Sequence, residues 1–245
     1  MQERFLTIDI GGTSIKATIL DAQGNMTVDY VKRPTPESPS PKDAIKEIKA
    51  LIKDFPEFDK VSVGFPGYTR NGVIYTAPNL GPEHWKEIPF AQMLADELKK
   101  PVRLVNDADM QGFGLVSGKG LEMVITLGTG FGTALFLDGS LLPHFELAHL
   151  PVKDDKDYDD YVGDDAYEEH GKEKWNKRVK KVLQTFQTVI NFDRLYLSGG
   201  NSKNLDFKLP DNVTVCGNRD GINGGAFLWA KEDSAFLKTI NPKNN

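Results

Sequence analysis

The sequence predicts an α/β protein made of two lobes with similar architecture. Apolar segments of strand length alternate with amphipathic segments of helical period, and the 245 residues are enough for one or two domains. One arrangement also occurs twice, because a strand, a turn rich in Gly and Thr and a second strand follow one another over 4–20 and again over 123–137. Two lobes that each present such a hairpin to a shared cleft explain this weak internal symmetry.

The first half of the chain is predicted to contain a group of strands followed by alternating helices and strands. The first strand is nearly continuous in apolar residues, which is typical of a strand buried on both faces. Pro and Ser residues over 34–41 predict a rigid surface loop. In order, we predict strands at 4–10, 14–20, 26–32, 61–65 and 102–106, and helices at 42–54, 90–99 and 107–117.

The second half begins with predicted strands at 123–127 and 133–137. Residues 154–169 include nine acidic side chains, which predicts a solvated loop or a short helix. Apolar residues at helical spacing predict a long helix over 172–190, and we interpret the basic residues on its other face as a solvated surface. A strand then runs from 194 into a Gly turn, and a helix of small residues is predicted over 221–231.

The composition argues against several classes of partner. A net charge of −5 is unfavourable for non-specific nucleic-acid binding, which needs a basic surface. The single Cys216 cannot form an intramolecular disulfide, so nothing indicates an oxidising compartment. No apolar run reaches the ~18–20 residues that span a membrane, and the first strand begins too early to leave room for a signal peptide. We therefore expect a cytoplasmic protein that binds neither nucleic acid nor membranes.

The turn between the first two strands has the chemistry of a phosphate-binding loop. Gly11 and Gly12 lack a Cβ, so phosphate oxygens can approach the backbone N–H groups closely. Thr13 and Lys16 offer further contacts to phosphate oxygens, and Asp9 can hold Mg²⁺. This is not the P-loop, whose Gly-Lys-Ser/Thr precedes a helix, because a strand follows here. A β-hairpin with a polar turn is the alternative interpretation.

Asn106 and Asp107 come at the end of a predicted strand and the start of a helix. Open α/β folds bind ligands at this edge of the sheet. Asp107 is the candidate general base for phosphoryl transfer to an alcohol, because a carboxylate can orient the hydroxyl and accept its proton. The alternative role is a helix N-cap, which both residue types favour. The two roles are compatible if Asn106 caps the helix while Asp107 faces the cleft.

Three further residues have side chains that suit sugar hydroxyls. Asn79 offers a donor and an acceptor, although a turn is an equally good interpretation of its loop. Glu146 and His149 lie three residues apart, so a helical segment places them on one face, where they can grip adjacent hydroxyls of one polyol. Zinc is not expected, because no Cys cluster accompanies His149 and the other three His residues complete no ligand set.

These motifs occur in an order that resembles a known family. They are Asp9-Ile10-Gly11-Gly12-Thr13, Gly64-Phe65-Pro66-Gly67, Asn79-Leu80, Asn106-Asp107-Ala108-Asp109, Leu127-Gly128-Thr129-Gly130, Glu146-x-x-His149 and Ser198-Gly199-Gly200. The ordered set resembles the sugar kinases of the ROK family (repressor, open reading frame, kinase) within the actin-like ATPase superfamily, and in particular the zinc-less branch that contains polyphosphate glucokinases. The resemblance covers about residues 5–230.

The resemblance implies a fold and a reaction. The fold is two actin-like (ribonuclease H-like) lobes with a ligand cleft between them. The small N-terminal α/β lobe spans 1–107, joined by the C-terminal end 232–245, and the larger lobe spans 108–231. The reaction transfers a phosphoryl group, with Mg²⁺, from polyphosphate, ATP or both to the 6-hydroxyl of a hexose, here glucose. The family also implies a homodimer.

The resemblance assigns a role to each matching residue. The catalytic base is Asp107, and the Mg²⁺ ligand is Asp9. The sugar-contacting positions are Asn79, Asn106, Asp107, Glu146 and His149. The phosphate-donor positions are Asp9, Gly11, Gly12, Thr13, Lys16, Gly128, Thr129, Gly130, Gly199 and Gly200.

The chain departs from the family in two ways. Ala148 stands where the family usually has Gly, so its methyl group is expected to crowd the turn or a substituent of the sugar. The Cys-rich zinc loop is replaced by the acidic 154–169 stretch, so the Glu that many relatives supply after that loop has only loose candidates in Glu168 and Glu169.

Several alternatives stay open on the sequence alone. The chain can be an ATP-only kinase for another hexose such as mannose or glucosamine. A polyphosphate chain would need a basic track, for which Lys172 to Lys181, Lys203 and Lys208 are candidates. A sugar-responsive regulator or an inactive sensor is the alternative of another class. Regulators of this family carry a helix-turn-helix before the first strand, where only Met1 to Arg4 stand here, so we expect an enzyme.

Overall fold

The computed structural model describes residues 2–78, 80–217 and 221–243, and the chain forms two compact units. The first unit comprises Met1–Gly114 and Ile222–Asn245, and the second comprises Leu115–Gly221. Residues 108–114 and 222–231 thus belong to the first unit, whereas the sequence analysis assigned them to the larger lobe.

The elements before the second unit alternate as the apolar pattern predicts. They are β1 (Phe5–Ile10), β2 (Ser14–Leu20), β3 (Val31–Pro34), α1 (Pro41–Leu51), β4 (Lys60–Phe65), β5 (Thr69–Arg70), β6 (Val73–Ile74), α2 (Phe90–Leu98), β7 (Val102–Asn106) and α3 (Asp107–Leu115). The main sheet has the order β3-β2-β1-β4-β7. β1 pairs antiparallel with β2 and parallel with β4, and β4 pairs parallel with β7, so β1, β4 and β7 all end at one edge.

Local hydrogen bonds fix two element boundaries in this unit. Ser40 and Asp43 form a reciprocal capping box with Pro41 at the first helical position, which starts α1 one residue before the predicted helix. The third strand was predicted at 26–32 but spans Val31–Pro34. The Asp21 carboxylate accepts the N–H groups of residues 23 and 25, and the resulting turn leaves residue 26 with only an isolated bridge.

The second unit repeats the same sheet plan. Its elements are β8 (Leu121–Leu127), β9 (Phe131–Leu137), β10 (Ser140–Leu141), β11 (Pro151–Lys153), β12 (Lys156–Asp157), α4 (Tyr158–Val162), α5 (Asp164–Ile190), β13 (Arg194–Ser198) and β14 (Val213–Val215). The main sheet has the order β10-β9-β8-β13-β14, with β8 antiparallel to β9 and parallel to β13. Both units therefore carry a central hairpin beside two parallel strands, which confirms the predicted α/β class.

The acidic stretch contains a short helix, which was one of its two predicted forms, and further regular structure on either side. It forms the turn and second strand of the β11–β12 hairpin, the whole of α4 and the first turns of α5. Asp157 caps α4 through a reciprocal capping box with Asp160. Gly171 (φ 73°, ψ 166°) breaks α5, so the segment after it corresponds to the helix predicted over 172–190.

The chain returns to the first unit through a short helix, α6 (Gly224–Phe227), followed by a 3₁₀ turn. The sequence predicted one helix over 221–231. The Ser62 hydroxyl donates to the carbonyl of Gly225 (2.5 Å) and accepts the indole N–H of Trp229 (2.8 Å), which attaches this segment to β4. Among the described residues, no helix combines the length and the apolar composition needed to cross a membrane.

Candidate active site

The β1–β2 turn presents two adjacent backbone donors to solvent. The N–H of Gly11 donates to the carbonyl of Ser14 (3.0 Å), and Thr35 braces the turn by donating its hydroxyl to the Gly11 carbonyl (2.7 Å). Gly12 and Thr13 are exposed, and their N–H groups have no acceptor among the described residues. Consecutive N–H groups in a tight turn form an anion-binding concavity.

Asp9 and Lys16 lie opposite each other beside this turn, because β1 and β2 pair them in register. The Lys16 ammonium donates to Asp9 Oδ2 at 3.2 Å, and both side chains are partly exposed. Burial and the negative charge of Asp9 together raise the pKa of the nearby Tyr30 phenol. The structure thus places a lysine and a carboxylate next to the open N–H groups, and their phosphate and metal roles stay predictions.

A magnesium ion fits Asp9 only as a shared ligand. Within the described residues, no group of three or more His, Cys, Asp or Glu side chains is placed to hold a metal. Mg²⁺ commonly takes one or two carboxylates and completes its shell with water and substrate phosphates. A single carboxylate beside the predicted phosphate-binding turn fits that requirement.

Asn106 and Asp107 stand where β7 ends and α3 begins, in line with the ends of β1 and β4. The Asn106 oxygen accepts the N–H of Ala108 (2.8 Å), so Asn106 caps α3 as the alternative interpretation predicted. Its amide nitrogen donates to the Gly67 carbonyl (3.2 Å) and it is buried. Asp107 is half-buried, and its Oδ1 also accepts the N–H of Ala108 (2.9 Å).

The loop that carries the predicted sugar contact at Asn79 is held by a buried tryptophan. Asn79 itself lies outside the described residues. Trp85 is fully buried, and its indole N–H is shared between the carbonyls of Pro39 (2.9 Å) and Leu80 (3.0 Å). Its ring packs against Phe65 at the end of β4, with centroids 4.9 Å apart. The loop is therefore anchored to the strand that ends beside Asn106.

The β8–β9 turn repeats the arrangement of the first hairpin. The N–H of Gly128 donates to the Gly130 carbonyl (3.1 Å). Thr129 is exposed, and in the described part of the chain the N–H groups of Thr129 and Gly130 have no acceptor. A second pair of adjacent open donors thus stands at the equivalent position of the second sheet.

Glu146 and His149 flank a 3₁₀ turn rather than sharing the face of an α-helix. The Glu146 Oε1 atom is buried, lies 3.5 Å from Nε2 of His144 and has no hydrogen bond within the described residues. A buried carboxylate oxygen without a hydrogen bond is costly unless a ligand donates to it. His149 Nδ1 lies 2.9 Å from Asp157 Oδ2, and this hydrogen bond raises the pKa of His149.

The methyl group of Ala148, which was expected to crowd the turn, packs into the apolar core of the second unit. Glu168 and Glu169, the loose candidates for a further sugar contact, are both exposed on the first turns of α5. Neither residue is placed against the Glu146–His149 turn by a hydrogen bond within the described residues.

Gly199 lies in the turn after β13, next to the end of β8. Its φ is 90°, and an added Cβ would lie 2.3 Å from the carbonyl oxygen of Leu127, so only glycine fits. The same carbonyl accepts the N–H of Asn201 (2.9 Å). Gly200 has open space around it. The Gly199–Gly200 turn is therefore joined to the strand that leads into Gly128.

The sequence analysis missed three aspartates that touch the predicted residues of the second unit. They are Asp157, Asp159 and Asp164. The capping pattern Asp157-x-x-Asp160 before an apolar residue was the available signal for α4. The contacts with distant turns had no local signature.

The basic residues after Gly171 are engaged locally or exposed. Lys172 pairs with Asp206 (3.3 Å), Lys177 pairs with Glu173 (2.7 Å), and Arg178 donates to the carbonyl of Tyr161 (3.1 Å). These contacts favour the interpretation as a solvated helix face.

Comparisons with known proteins agree with this geometry. The chain is 31% identical over 221 residues to the polyphosphate glucokinase of Mycobacterium leprae (strain TN), covering 85% of this chain and 67% of that protein. It is 31% identical over 213 residues to the polyphosphate glucokinase of Mycobacterium tuberculosis (strain CDC 1551 / Oshkosh), covering 83% and 80%. The crystal structure of inorganic polyphosphate/ATP-glucomannokinase from Arthrobacter sp. strain KM matches with a TM-score of 0.82 and 29% identity, covering 93% and 98%.

The fold is that of the actin-like ATPases, as this structural match shows. The model of the ROK family matches residues 5–155, which is more than half of the chain. The strand–turn–strand hairpins, the Asn106-Asp107 pair and the Glu146–His149 turn all occur in their predicted order. The chain belongs to the ROK family.

Proposed function

We propose that this protein is a hexose kinase that transfers a phosphoryl group from polyphosphate, ATP or both to the 6-hydroxyl of glucose. The observation that carries the proposal is the repeated pair of open N–H groups, at Gly12 and Thr13 in one sheet and at Thr129 and Gly130 in the other. Each turn provides donors for phosphate oxygens. The kinases with similar sequences support the same reaction.

Asp107 is the proposed general base. As O6 of the sugar attacks the terminal phosphorus, its proton passes to the Asp107 carboxylate and the bridging P–O bond breaks. ADP or a polyphosphate shorter by one phosphate leaves. Asp107 already accepts one backbone N–H on Oδ1, which fixes the orientation of the carboxylate.

The sugar contacts are assigned to Glu146 and His149 in the second unit and to Asn79 and Asn106 in the first. The buried Oε1 of Glu146, which has no hydrogen bond within the described residues, supports this assignment, because a sugar hydroxyl would donate to it. The side chain of Asn106 already forms hydrogen bonds with the backbone of Gly67 and Ala108. We therefore expect it to contact the sugar through the remaining lone pair of its oxygen and to hold the Gly67 loop in place.

Asp9 and Lys16 are assigned to the phosphate donor. Asp9 would hold Mg²⁺, which neutralises charge that develops on the transferred phosphoryl group. Lys16 and the open N–H groups of Gly12 and Thr13 bind and orient the phosphate oxygens.

A donor-by-sugar activity matrix tests the proposal directly. Purified protein is assayed with ATP and with inorganic polyphosphate, each against glucose, mannose and glucosamine. We expect the highest kcat/KM with glucose. Activity with ATP but not with polyphosphate would remove the polyphosphate donor, and preference for mannose or glucosamine would select the alternative substrate. No transfer in any combination would contradict the proposal and favour a sugar-responsive regulator.

The Asp107→Asn variant tests the base. Asparagine keeps an oxygen that can accept the Ala108 N–H, so we expect a folded protein that binds glucose within about threefold of wild type. Its kcat should fall by about 10²–10⁴-fold, the usual contribution of a general base. The matched control is Asp155→Asn, which makes the same chemical change at an exposed turn. Unchanged turnover of Asp107→Asn would refute the assigned role.

We also propose that the protein acts in the cytoplasm as a homodimer. The single Cys216 and the family resemblance support these two points. Light scattering on the purified protein should give a mass of about twice the 27.2 kDa of one chain.

A further inference from the structure

One short segment of the second unit touches all three of its predicted ligand-binding turns. It runs from Asp157 through helix α4 to Asp164, within the acidic stretch for which the proposed reaction has no role. Its carboxylates contact His149, the β8–β9 turn and the turn after Gly199, and each contact is made by a different aspartate.

The first contact orients the predicted sugar-binding histidine. Asp157 Oδ2 lies 2.9 Å from Nδ1 of His149, while Asp157 Oδ1 accepts the N–H of Asp160 (2.9 Å) and so starts helix α4. One carboxylate therefore holds both the imidazole and the helix. A bond to Nδ1 fixes the ring so that Nε2 is the nitrogen left for a ligand.

The second contact shapes the phosphate-donor turn. Asp159 Oδ1 accepts the N–H of Phe131 at 2.5 Å, and an added Cβ on Gly130 would lie 2.8 Å from the same oxygen. Asp159 thus accepts the N–H that follows Gly130, while those of Thr129 and Gly130 have no acceptor in the described ranges of the chain. Burial raises the pKa of Asp159, which agrees with its position against the backbone of this turn.

The third contact joins the donor turn to the Gly199 turn. The N–H of Asp164 donates to the Thr129 carbonyl (3.2 Å), and its Oδ1 accepts the side-chain amide of Asn201 (2.9 Å). Asn201 is itself hydrogen-bonded through its N–H to Leu127 at the end of β8.

Helix α4 is firmly attached to the core on both ends. Tyr158 stacks on Phe131 with centroids 5.8 Å apart. The indole N–H of the fully buried Trp175 donates to the carbonyl of Val162 (2.8 Å). Both ends of this five-residue helix are therefore held against the same core.

We propose that Asp157 and Asp159 are positioning residues, Asp157 for sugar binding through His149 and Asp159 for donor binding through the 128–131 turn. This inference rests on the proposed function. Asp157 is the N-cap of α4 and Asp159 lies in its first turn, so this helix links the sugar-contacting turn to the donor turn.

Paired substitutions at each position separate this role from a purely structural one. Asp157→Ser retains a good helix cap but is too short to reach His149. Asp157→Asn keeps the cap through its amide oxygen, and its NH2 group can donate to the unprotonated Nδ1 of His149, so the ring stays held with its Nε2 towards the ligand. We expect Asp157→Ser to raise the KM for glucose by about tenfold, the size of one hydrogen bond to a charged group, with the donor KM within about twofold. Asp157→Asn should restore the glucose KM to within about threefold.

The same design applies to the donor side. Asp159→Ala removes the acceptor of the Phe131 N–H, and Asp159→Asn keeps an oxygen in its place. We expect Asp159→Ala to raise the donor KM by about tenfold with little change for glucose, and Asp159→Asn to restore it to within about threefold. Asp155→Asn is the control in the same acidic stretch and should change neither constant.

An NMR titration of the His side chains separates failure of this inference from failure of the proposed function. Asp157→Ser should lower the pKa of His149 whether or not the protein turns over any substrate, because the hydrogen bond that raises it is lost. Wild type without kinase activity would defeat the proposed function alone. The inference would be overturned if the wild type is active but Asp157→Ser and Asp159→Ala leave both KM values unchanged. It would also be overturned if these variants lower kcat without affecting the two substrates differently.

Discussion

Arg103 on β7 provides the sharpest stability prediction. Its Nη1 donates to the carbonyls of Leu228 (2.5 Å) and Lys231 (2.8 Å), and its Nη2 donates to Asp233 (3.0 Å). The guanidinium also lies 4.7 Å from the ring centroid of Trp229. This one buried side chain therefore fixes the returning C-terminal segment to a strand of the first sheet.

Arg103→Met removes these contacts while it keeps most of the side-chain volume. The buried Leu228 carbonyl loses its partner, which costs about 1–3 kcal/mol, and the half-buried Lys231 carbonyl costs about 1 kcal/mol. Loss of the cation–π contact adds about 1 kcal/mol. The Asp233 side chain is 39% exposed, so its ion pair adds little. Burial of methionine does not carry the desolvation cost of a guanidinium, and this offsets part of the lost contacts. We therefore expect the free energy of unfolding to fall by about 3 kcal/mol.

Urea unfolding followed by circular dichroism measures this loss. With an m-value of about 3 kcal/mol/M, the midpoint should fall by about 1 M. The control is Arg194→Met, at an exposed position of the second unit, which should stay within about 0.5 kcal/mol of wild type. A loss below about 1 kcal/mol for Arg103→Met would show that the carbonyls of the returning segment find other donors.

Three further perturbations have distinct readouts. Gly199→Ala should destabilise the protein by about 2 kcal/mol or more and raise the donor KM, because of its positive φ, whereas Gly200→Ala, in open space, should leave the free energy of unfolding unchanged. Trp85→Phe leaves two loop carbonyls without their donor and should lower the free energy of unfolding by about 2 kcal/mol; an unchanged thermal midpoint would contradict this. The hydrogen bond to Asp157 raises the pKa of His149 in the folded protein above its usual 6.5, and the charges of Glu146 and Asp159 add to this effect. The His149–Asp157 pair therefore stabilises the protein fully below pH 6.5, and this stabilisation is lost as the pH rises through the folded pKa. The stability difference between wild type and Asp157→Ser should therefore be larger at about pH 5.5 than at about pH 9.

The parts of the structure that the sequence predicted well depend on local patterns. β7 has its predicted bounds because an apolar run ends at two polar residues that cap a helix. The two Gly-rich hairpins were predicted because a strand must turn where Gly and Thr replace apolar residues. The roles assigned to Asp9, Asp107 and the other site residues remain predictions, which the experiments above test.

The parts that the sequence did not predict depend on contacts between distant residues. Asp159 was one of nine acidic residues in a stretch interpreted as solvated, and its hydrogen bond reaches Phe131, which is 28 positions earlier. Nothing in the residue type tells which carboxylate of such a stretch turns inward. The short α6 shows the same limit, because Ser62 and Arg103 donate to the carbonyls of Gly225 and Leu228 in and just after it.

The two pairs of exposed backbone N–H groups, in the β1–β2 and β8–β9 turns, have a consequence for the choice of phosphate donor. Main-chain groups recognise the end of an anionic chain by its oxygens alone, and they read neither a base nor a ribose. Substitution of a side chain cannot remove these N–H groups. A change of preferred donor from a nucleotide to inorganic polyphosphate would therefore come from substitutions around the hairpins. A single scaffold of this kind can therefore pass from one energy source to the other without rebuilding the place where the phosphate is held.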